Sequence, residues 1–279
     1  MDHKQDLIRY IKDARDHGLS DKEIARNLRE VGWPEWIIKK TFRDKAVAGE
    51  KEPIISIKDL SRTYDFGGEV VTAALNGVDL DIYHSEFVAI TGHSGSGKTT
   101  LLNMIGLVDL PTTGNVIVQG QNISELNEKQ KVQYHLNKIS YVFQFYNLIY
   151  NYTARENIMF QLRLQGYSKK ESQKKADKVV DFLKLSDRAD SYPQNLSGGE
   201  QQRVAVGRAL AKDSEIILAD EPTAHLDTKN GQMIISLLRD VNIEFGKTII
   251  LISHEAEYAE QADRVVVLQD GQVKEIKEP

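Results

Sequence analysis

Gly92-His93-Ser94-Gly95-Ser96-Gly97-Lys98-Thr99 sets three glycines ahead of a lysine and a hydroxyl. That is the residue set needed to wrap a polyphosphate. The glycines let successive backbone N–H groups curl around a phosphate, and the start of a following helix adds its positive end. Lys98 can reach the outer phosphates, the Thr99 hydroxyl suits Mg²⁺, and Thr100 continues the motif. The apolar run Phe87–Thr91 reads as a strand leading in, and Leu101, Leu102 and Ile105 mark a helix leading out. This strand–loop–helix setting separates a phosphate loop from an ordinary glycine turn.

Ile216-Ile-Leu-Ala-Asp220-Glu221 is a second apolar strand, closed by two acids. Asp220 is suited to holding Mg²⁺ through water and Glu221 to polarising an attacking water as general base. In a parallel sheet the ends of both strands fall on one edge, where ligands bind. Gln144 and His254 end two further apolar strands, Ile139–Phe143 and Lys247–Ile252. Between them, Leu196-Ser197-Gly198-Gly199-Glu200-Gln-Gln-Arg203 opens a helix that runs through Val204, Ala205, Gly207, Arg208 and Leu210. Taken alone, that turn is a serine N-cap before glycines.

The elements around these residues argue a mainly parallel α/β core. Short β-rich runs at Ile54–Ile57 and Leu80–Ile82 precede the phosphate loop, and Arg264–Leu268 is a last apolar strand. Such near-continuous apolar runs belong to strands buried on both faces. Two helices, roughly 153–165 and 168–184, interrupt the strands as an inserted helical subdomain at about 145–200. The 279 residues allow one large domain plus a small one, or two modest ones. A hydrophobic fraction of 41% with 28% charged residues is ordinary for a globular chain with a real core. The chain has no cysteine, which excludes disulfides, thiolate catalysis and cysteine-bound metals. Net charge of −5 gives no electrostatic footprint for nucleic acid. No signal-peptide pattern opens the chain. No apolar run approaches the roughly 20 residues that cross a bilayer. The expectation is a cytoplasmic protein; if it works at a membrane, another chain spans it.

The ordered set of phosphate loop, Gln144, Leu-Ser-Gly-Gly turn, acidic strand and His254 resembles the ABC ATPase family over roughly 54–276. The resemblance implies a P-loop fold with a mainly parallel core sheet, an antiparallel β subdomain and an inserted helical subdomain. It implies MgATP as ligand, with Glu221, His254 and Lys98 catalytic. Tyr64 is then similar to the aromatic that stacks on adenine, and Gln144 to the loop glutamine that touches Mg²⁺ and couples to a membrane partner. Ala224-His225-Leu226-Asp227 resembles the loop that crosses to the other subunit, and His254 the residue that senses the γ-phosphate. Ser197, Gly198, Gly199 and Glu200 would close over ATP held by the partner copy, in a homodimer or a heterodimer with a related ATPase. His225 stands where a small or amide residue is more usual.

Within the family, Val142-Phe-Gln-Phe-Tyr-Asn-Leu148, Thr153-Ala-Arg-Glu-Asn157 and Asn195–Ala211 resemble the ATPases of lipoprotein-release, macrolide-efflux and cell-division systems. This implies an ATPase peripheral on the inner face of the cell membrane, driving a separate permease that docks around 144–157. The chain runs about ten residues beyond Leu268, so the C-terminal regulatory domain of sugar-import ATPases is not expected. Two rival readings stay open: a mechanotransmitting ATPase that regulates cell-wall enzymes without transport, and a soluble ABC protein of DNA repair or translation.

Residues 1–45 form a separate small all-α module, joined by a charged linker at 46–53 to an ATPase domain at 54–279. Leu7, Ile8, Ile11 and Ala14 have helical spacing, with Gly18 as the stop. Ser20 and Glu23 predict a capping box for a helix carrying Ile24, Leu28 and Val31. Pro34 starts a third helix, with Trp33 and Trp36 as core. The module resembles both half of a helix-turn-helix and a ubiquitin-associated-type bundle; its near-balanced charge favours a protein-docking or purely structural role over DNA. Lys169, Lys170, Lys174 and Lys175 read as a solvated helix face.

Overall fold

The computed structural model describes residues 3–33, 38, 41, 52–65 and 71–278. Two sheets share the work of positioning the site. The larger has six strands: β3 (Phe87–Thr91), β6 (Ile139–Val142), β7 (Ile216–Asp220), β8 (Thr248–Ile252), β9 (Arg264–Gln269) and β10 (Gln272–Lys277). Their order is β10-β9-β3-β8-β7-β6, and every pairing except β10 with β9 is parallel. The smaller sheet is antiparallel, β2-β1-β4-β5, from β1 (Ile55–Asp65), β2 (Val71–Ile82), β4 (Thr113–Val118) and β5 (Gln121–Asn122).

Both faces of the parallel sheet are covered, which is why its strands are apolar at successive positions. Val88, Ile90, Leu218, Ile250 and Ile252 point into a core shared with the antiparallel sheet and with α3 (Lys98–Ile105). Phe87, Ala89, Ile217, Ala219, Ile249 and Leu251 point into the opposite core. That second core also takes in α5 (Ala154–Leu164), α6 (Lys169–Phe182), α7 (Gly198–Ala211) and α8 (Thr228–Phe245). Capping boxes start α5 (Thr153 with Glu156), α6 (Ser168 with Glu171) and α7 (Ser197 with Glu200). A shorter helix α4 (Glu128–Asn137) leads into β6, and α9 (Ala256–Ala259) follows β8.

The first strand extends well past the expected Ile54–Ile57. Its apolar run ends there, yet pairing with β2 continues through Leu60, Arg62, Thr63 and Tyr64 across register shifts. One side of that stretch is open to solvent, so hydrophobicity stops marking it while the ladder goes on. β4, β5 and β10 were likewise unmarked by apolar runs. Asp270-Gly271, between β9 and β10, was the local hairpin signal available for the last strand.

At the N-terminus, α1 (His3–Asp16) and α2 (Asp21–Glu30) bury Leu7, Ile11, Ala14, Ile24 and Leu28 with Ile38 in their own apolar cluster. Ser20 and Glu23 form the expected capping box. Trp33 packs partly buried against this cluster. Pro34, Trp36 and the linker at 46–51 lie outside the described residues. Val31 does not join the core: α2 ends at Glu30, and Val31, in the C-cap position, is 77% exposed. Among the described residues no helix is long and apolar enough to cross a membrane.

Candidate functional site

Strand order brings the chemistry together. β8 lies between β3 and β7, in register so that Ile90 and Asp220 both flank Ile252. The phosphate loop after β3, the acids at the end of β7 and His254 after β8 therefore emerge side by side on the C-terminal edge of the sheet. Gln144 follows β6, one strand further along.

The loop's glycines answer to close packing as well as to backbone angle. Gly92 (φ 150°) lies against the Leu268 carbonyl of β9, and Gly97 (φ 99°) against the Ala74 carbonyl of β2; a Cβ at either would collide with those oxygens. Gly95 (φ 78°) meets nothing within 4 Å of its missing Cβ, so its left-handed backbone angle rather than packing favours glycine there. His93 and Ser94 are exposed along it. Gly97 is the N-cap of α3 and no side chain caps that helix, which leaves its first N–H groups for an anion. Ser96 is buried and its Oγ has no partner. Lys98 Nζ donates to the carbonyls of Gly92 (3.0 Å) and His93 (2.8 Å). Burial lowers its pKa, against the opposing pull of Glu221 and Asp220. An uncapped helix start, a parked lysine and an orphaned hydroxyl fit a phosphate group.

Burial and the charge of Glu221 raise the Asp220 pKa, while a hydrogen bond from Thr99 opposes that rise. The two residues assigned to Mg²⁺ on this side of the site are thus already in contact. Thr100 lies beside them, half-buried. Glu221 takes a left-handed backbone (φ 44°), rare for a side chain with a Cβ and typical of strain held at functional sites. Its N–H donates to the Ile252 carbonyl (3.2 Å), and its Oε1 lies 2.5 Å from His254 Nε2.

Gln144 Nε2 stands 3.3 Å from His225 Nε2, and the His225 ring lies over Phe145 with centroids 4.7 Å apart. His225, unusual for the family by sequence, therefore touches the glutamine of its own chain. Asp227 is the N-cap of α8: its Oδ1 accepts from Asn230 N–H and its Oδ2 from the Asn230 amide (2.7 Å). Asn230 Oδ1 in turn sits 2.5 Å from where a Cβ on Gly199 would stand. A side chain at Gly199 would therefore have to displace the Asn230 amide within the same subunit. Ser197 is exposed, its Oγ and N–H both donating to Glu200 at 2.8 Å. Among the described residues no hydrogen bond joins 197–200 to the phosphate loop. Tyr64 sits at the far end of β1, its hydroxyl on Asp109 (2.9 Å) and Arg62 over its ring at 4.5 Å.

Sequence reasoning missed the residues that hold the Gln144 loop. Gln202, fully buried on α7, donates to the Phe143 carbonyl, and Arg208 donates to the carbonyls of Tyr146 and Asn147. Arg208 was legible only as a position along this helix, and nothing local marks either polar side chain as buried.

Sheet order, phosphate loop and paired acids define a P-loop nucleoside triphosphatase. The model of the family described as ABC transporter matches residues 75–224, more than half of the chain. A lipoprotein-releasing system ATP-binding protein LolD 1 of Rhodopseudomonas palustris is 40% identical over 221 residues, 79% of this chain and 98% of that protein. A macrolide export ATP-binding/permease protein MacB of Brucella melitensis is 42% identical over 79% of this chain, which spans only 34% of that protein. Among solved structures, the dimeric ATP-binding cassette MJ0796 bound to ADP and Pi superposes with a TM-score of 0.74. It is 39% identical, over 80% of this chain and 98% of that one. The chain belongs to the ABC transporter family and carries its ATP-hydrolysing cassette.

Proposed function

We propose that this chain is the MgATP-hydrolysing subunit of a transporter of the lipoprotein-release or macrolide-export kind, acting on the inner face of the cell membrane with a separate permease. The observation that carries the reading is the Glu221–His254 pair beside the phosphate loop, in a chain with one phosphate loop and one Ser197–Gly199 turn. A single copy thus holds two half-sites, and two copies packed head to tail would complete both. Dimeric cassettes among the solved relatives support this arrangement.

In the proposed roles, Lys98 and the loop amides bind the β- and γ-phosphates, and Tyr64 takes the adenine. Glu221 accepts the proton of the attacking water as the bond between the γ-phosphorus and its bridging oxygen breaks, and His254 holds the Glu221 carboxylate in place. Thr99, Gln144 and Asp220 would hold Mg²⁺, which when bound neutralises charge on the phosphate oxygens. The described residues contain no group of three or more His, Asp or Glu able to hold a metal, so phosphates and water supply the other ligands. Ser197, Gly198 and Gly199 close over the partner copy's ATP, with the N-terminal end of α7 towards the γ-phosphate.

The permease docks around 144–157, where Phe145 and Tyr150 are each 66% exposed. Residues 1–45 are proposed as a separate docking module. The reading is tested by isolating the full chain from detergent-solubilised membranes of its source cells and asking whether an integral-membrane permease comes with it. Retention of that permease is expected, and recovery with ribosomes or DNA instead overturns it.

A further inference from the structure

The contact between His225 and Gln144 tells the two ends of the Gln144 amide apart. Gln144 Nε2 and His225 Nε2 stand 3.3 Å apart. An amide nitrogen can only donate, so the imidazole nitrogen facing it accepts, and the ring proton sits on Nδ1. The amide oxygen is thereby left on the other side of the group. Among the described residues no donor bonds to that oxygen.

The backbone on either side of Gln144 is already held. Gln202 donates to the Phe143 carbonyl before it (3.3 Å), and Arg208 to the Tyr146 and Asn147 carbonyls after it. These straps place the Gln144 backbone but leave the turn of its amide undecided. Its two ends have nearly the same shape, so only a neighbour that bonds them differently chooses between them. His225 is such a neighbour, and it is itself held. Its ring lies against Phe145, with centroids 4.7 Å apart and planes inclined by 34°. The turn that carries it is closed by two backbone bonds, from Ala224 N–H to the Glu221 carbonyl (3.2 Å) and from Leu226 N–H to the Thr223 carbonyl (3.0 Å).

The choice matters because Mg²⁺ is a hard cation that takes oxygen ligands. An amide turned the other way would present its NH₂ group, the positive end of its dipole, to the ion. A small side chain at 225 would offer no acceptor, and either end of the amide could then face the metal. Groups that bond the far end of a ligand commonly fix its orientation at metal sites.

We propose that His225 is a positioning residue for ATP hydrolysis: it accepts from the NH₂ end of Gln144 and so reserves the amide oxygen for Mg²⁺. The proposal rests on the reading of Gln144 as a Mg²⁺ ligand and names the side chain that orients it. Both residues belong to one chain, so the orientation does not wait for a second copy.

The test measures how far Mg²⁺ tightens the binding of a fluorescent, non-hydrolysable ATP analogue to the full chain. The readout is the ratio of Kd in EDTA to Kd at saturating Mg²⁺, a coupling between metal and nucleotide. His225→Phe keeps a ring against Phe145 and removes the acceptor. It is expected to lower the ratio about three- to tenfold, the range of one hydrogen bond, with Kd in EDTA unchanged. That unchanged Kd also reports an intact fold, and His225→Ala is the second variant if Phe is not tolerated. Gln144→Ala is expected to lower the ratio at least as much, with no further loss when His225→Phe is added. A wild-type ratio in the folded His225 variants, or additive losses in the double variant, overturns the proposal and leaves the Gln144 reading in place. A wild-type ratio in Gln144→Ala overturns both.

Discussion

Glu221 Oε1 and His254 Nε2 stand 2.5 Å apart, brought together from the ends of adjacent parallel strands β7 and β8. The contact joins the proposed general base to the residue that follows the strand between it and the phosphate loop. Replacing Glu221 by Gln keeps the shape and removes the base. Hydrolysis by Glu221→Gln is expected to fall by about 10² to 10⁴, with ATP still bound and a stable dimer accumulating. Size measurement by light scattering in MgATP checks this, and a species that stays monomeric sinks the composite-site model.

Lys98 rests on two loop carbonyls and is buried as a cation. Lys98→Ala is expected to abolish hydrolysis while changing the stability of the nucleotide-free chain little. The wild-type chain gains about 2.7 kcal/mol at ATP concentrations 100-fold above Kd; the variant is expected to lose most of that gain at the same concentration. Thermal denaturation with and without ATP measures both, and retained turnover would falsify the phosphate-loop assignment.

Asn230 links the start of α8 to the start of α7 by bonding Asp227 and lying against Gly199. A methyl at Gly199 forces Asn230 off Asp227, at a cost of about 1–3 kcal/mol for overpacking. Gly199→Ala in an Asn230→Ala background should cost clearly less. Urea unfolding of the four proteins in a double-mutant cycle gives the coupling, and additive effects would show that the close approach carries no strain.

Lys212 carries a sign that can be checked. Its folded pKa of about 8 lies below the ordinary 10.5, so the unfolded chain binds more protons between those values and stability rises with pH there. Below pH 8 the buried cation costs the fold about 3 kcal/mol, and above about 10.5 that penalty is gone. The stability difference between wild type and Lys212→Met should therefore shift in favour of wild type from pH 8 to 10.5. Chemical denaturation at several pH values follows it; a flat difference contradicts the burial of a charged amine.

The N-terminal helices close their own apolar cluster. A chain lacking residues 1–48 is expected to stay folded and to bind ATP, as read by circular dichroism and fluorescent-nucleotide titration. An aggregated product would mean that this segment packs into the ATPase core.

Much of the site was legible because its chemistry is local. Glycine spacing, a lysine and a hydroxyl prescribe a phosphate loop whatever lies around them, and Phe87–Thr91 appears in the structure with the bounds its apolar run marks. The buried parallel strands announced themselves by being apolar on both faces. Half-exposed antiparallel strands did not: between Lys58 and Asp65 only Leu60 is apolar and buried, while Arg62, Thr63, Tyr64 and Asp65 carry the ladder on. The polar straps Gln202 and Arg208 were hidden for another reason: a polar side chain on a helix carries no local mark of being buried.

The residue types that can handle a nucleotide, and their order along the chain, are local properties, because backbone curvature and side-chain chemistry are set within a few residues. The partnerships arise only once the chain is folded: Glu221 with His254, Gln144 with His225, Gly199 with Asn230, and Arg208 with the loop at 146–147. These depend on the strand order β9-β3-β8-β7-β6 and on how α7 lies against β6. Strand order is a property of the assembled sheet, and a strand's own residues look the same whichever neighbour it takes.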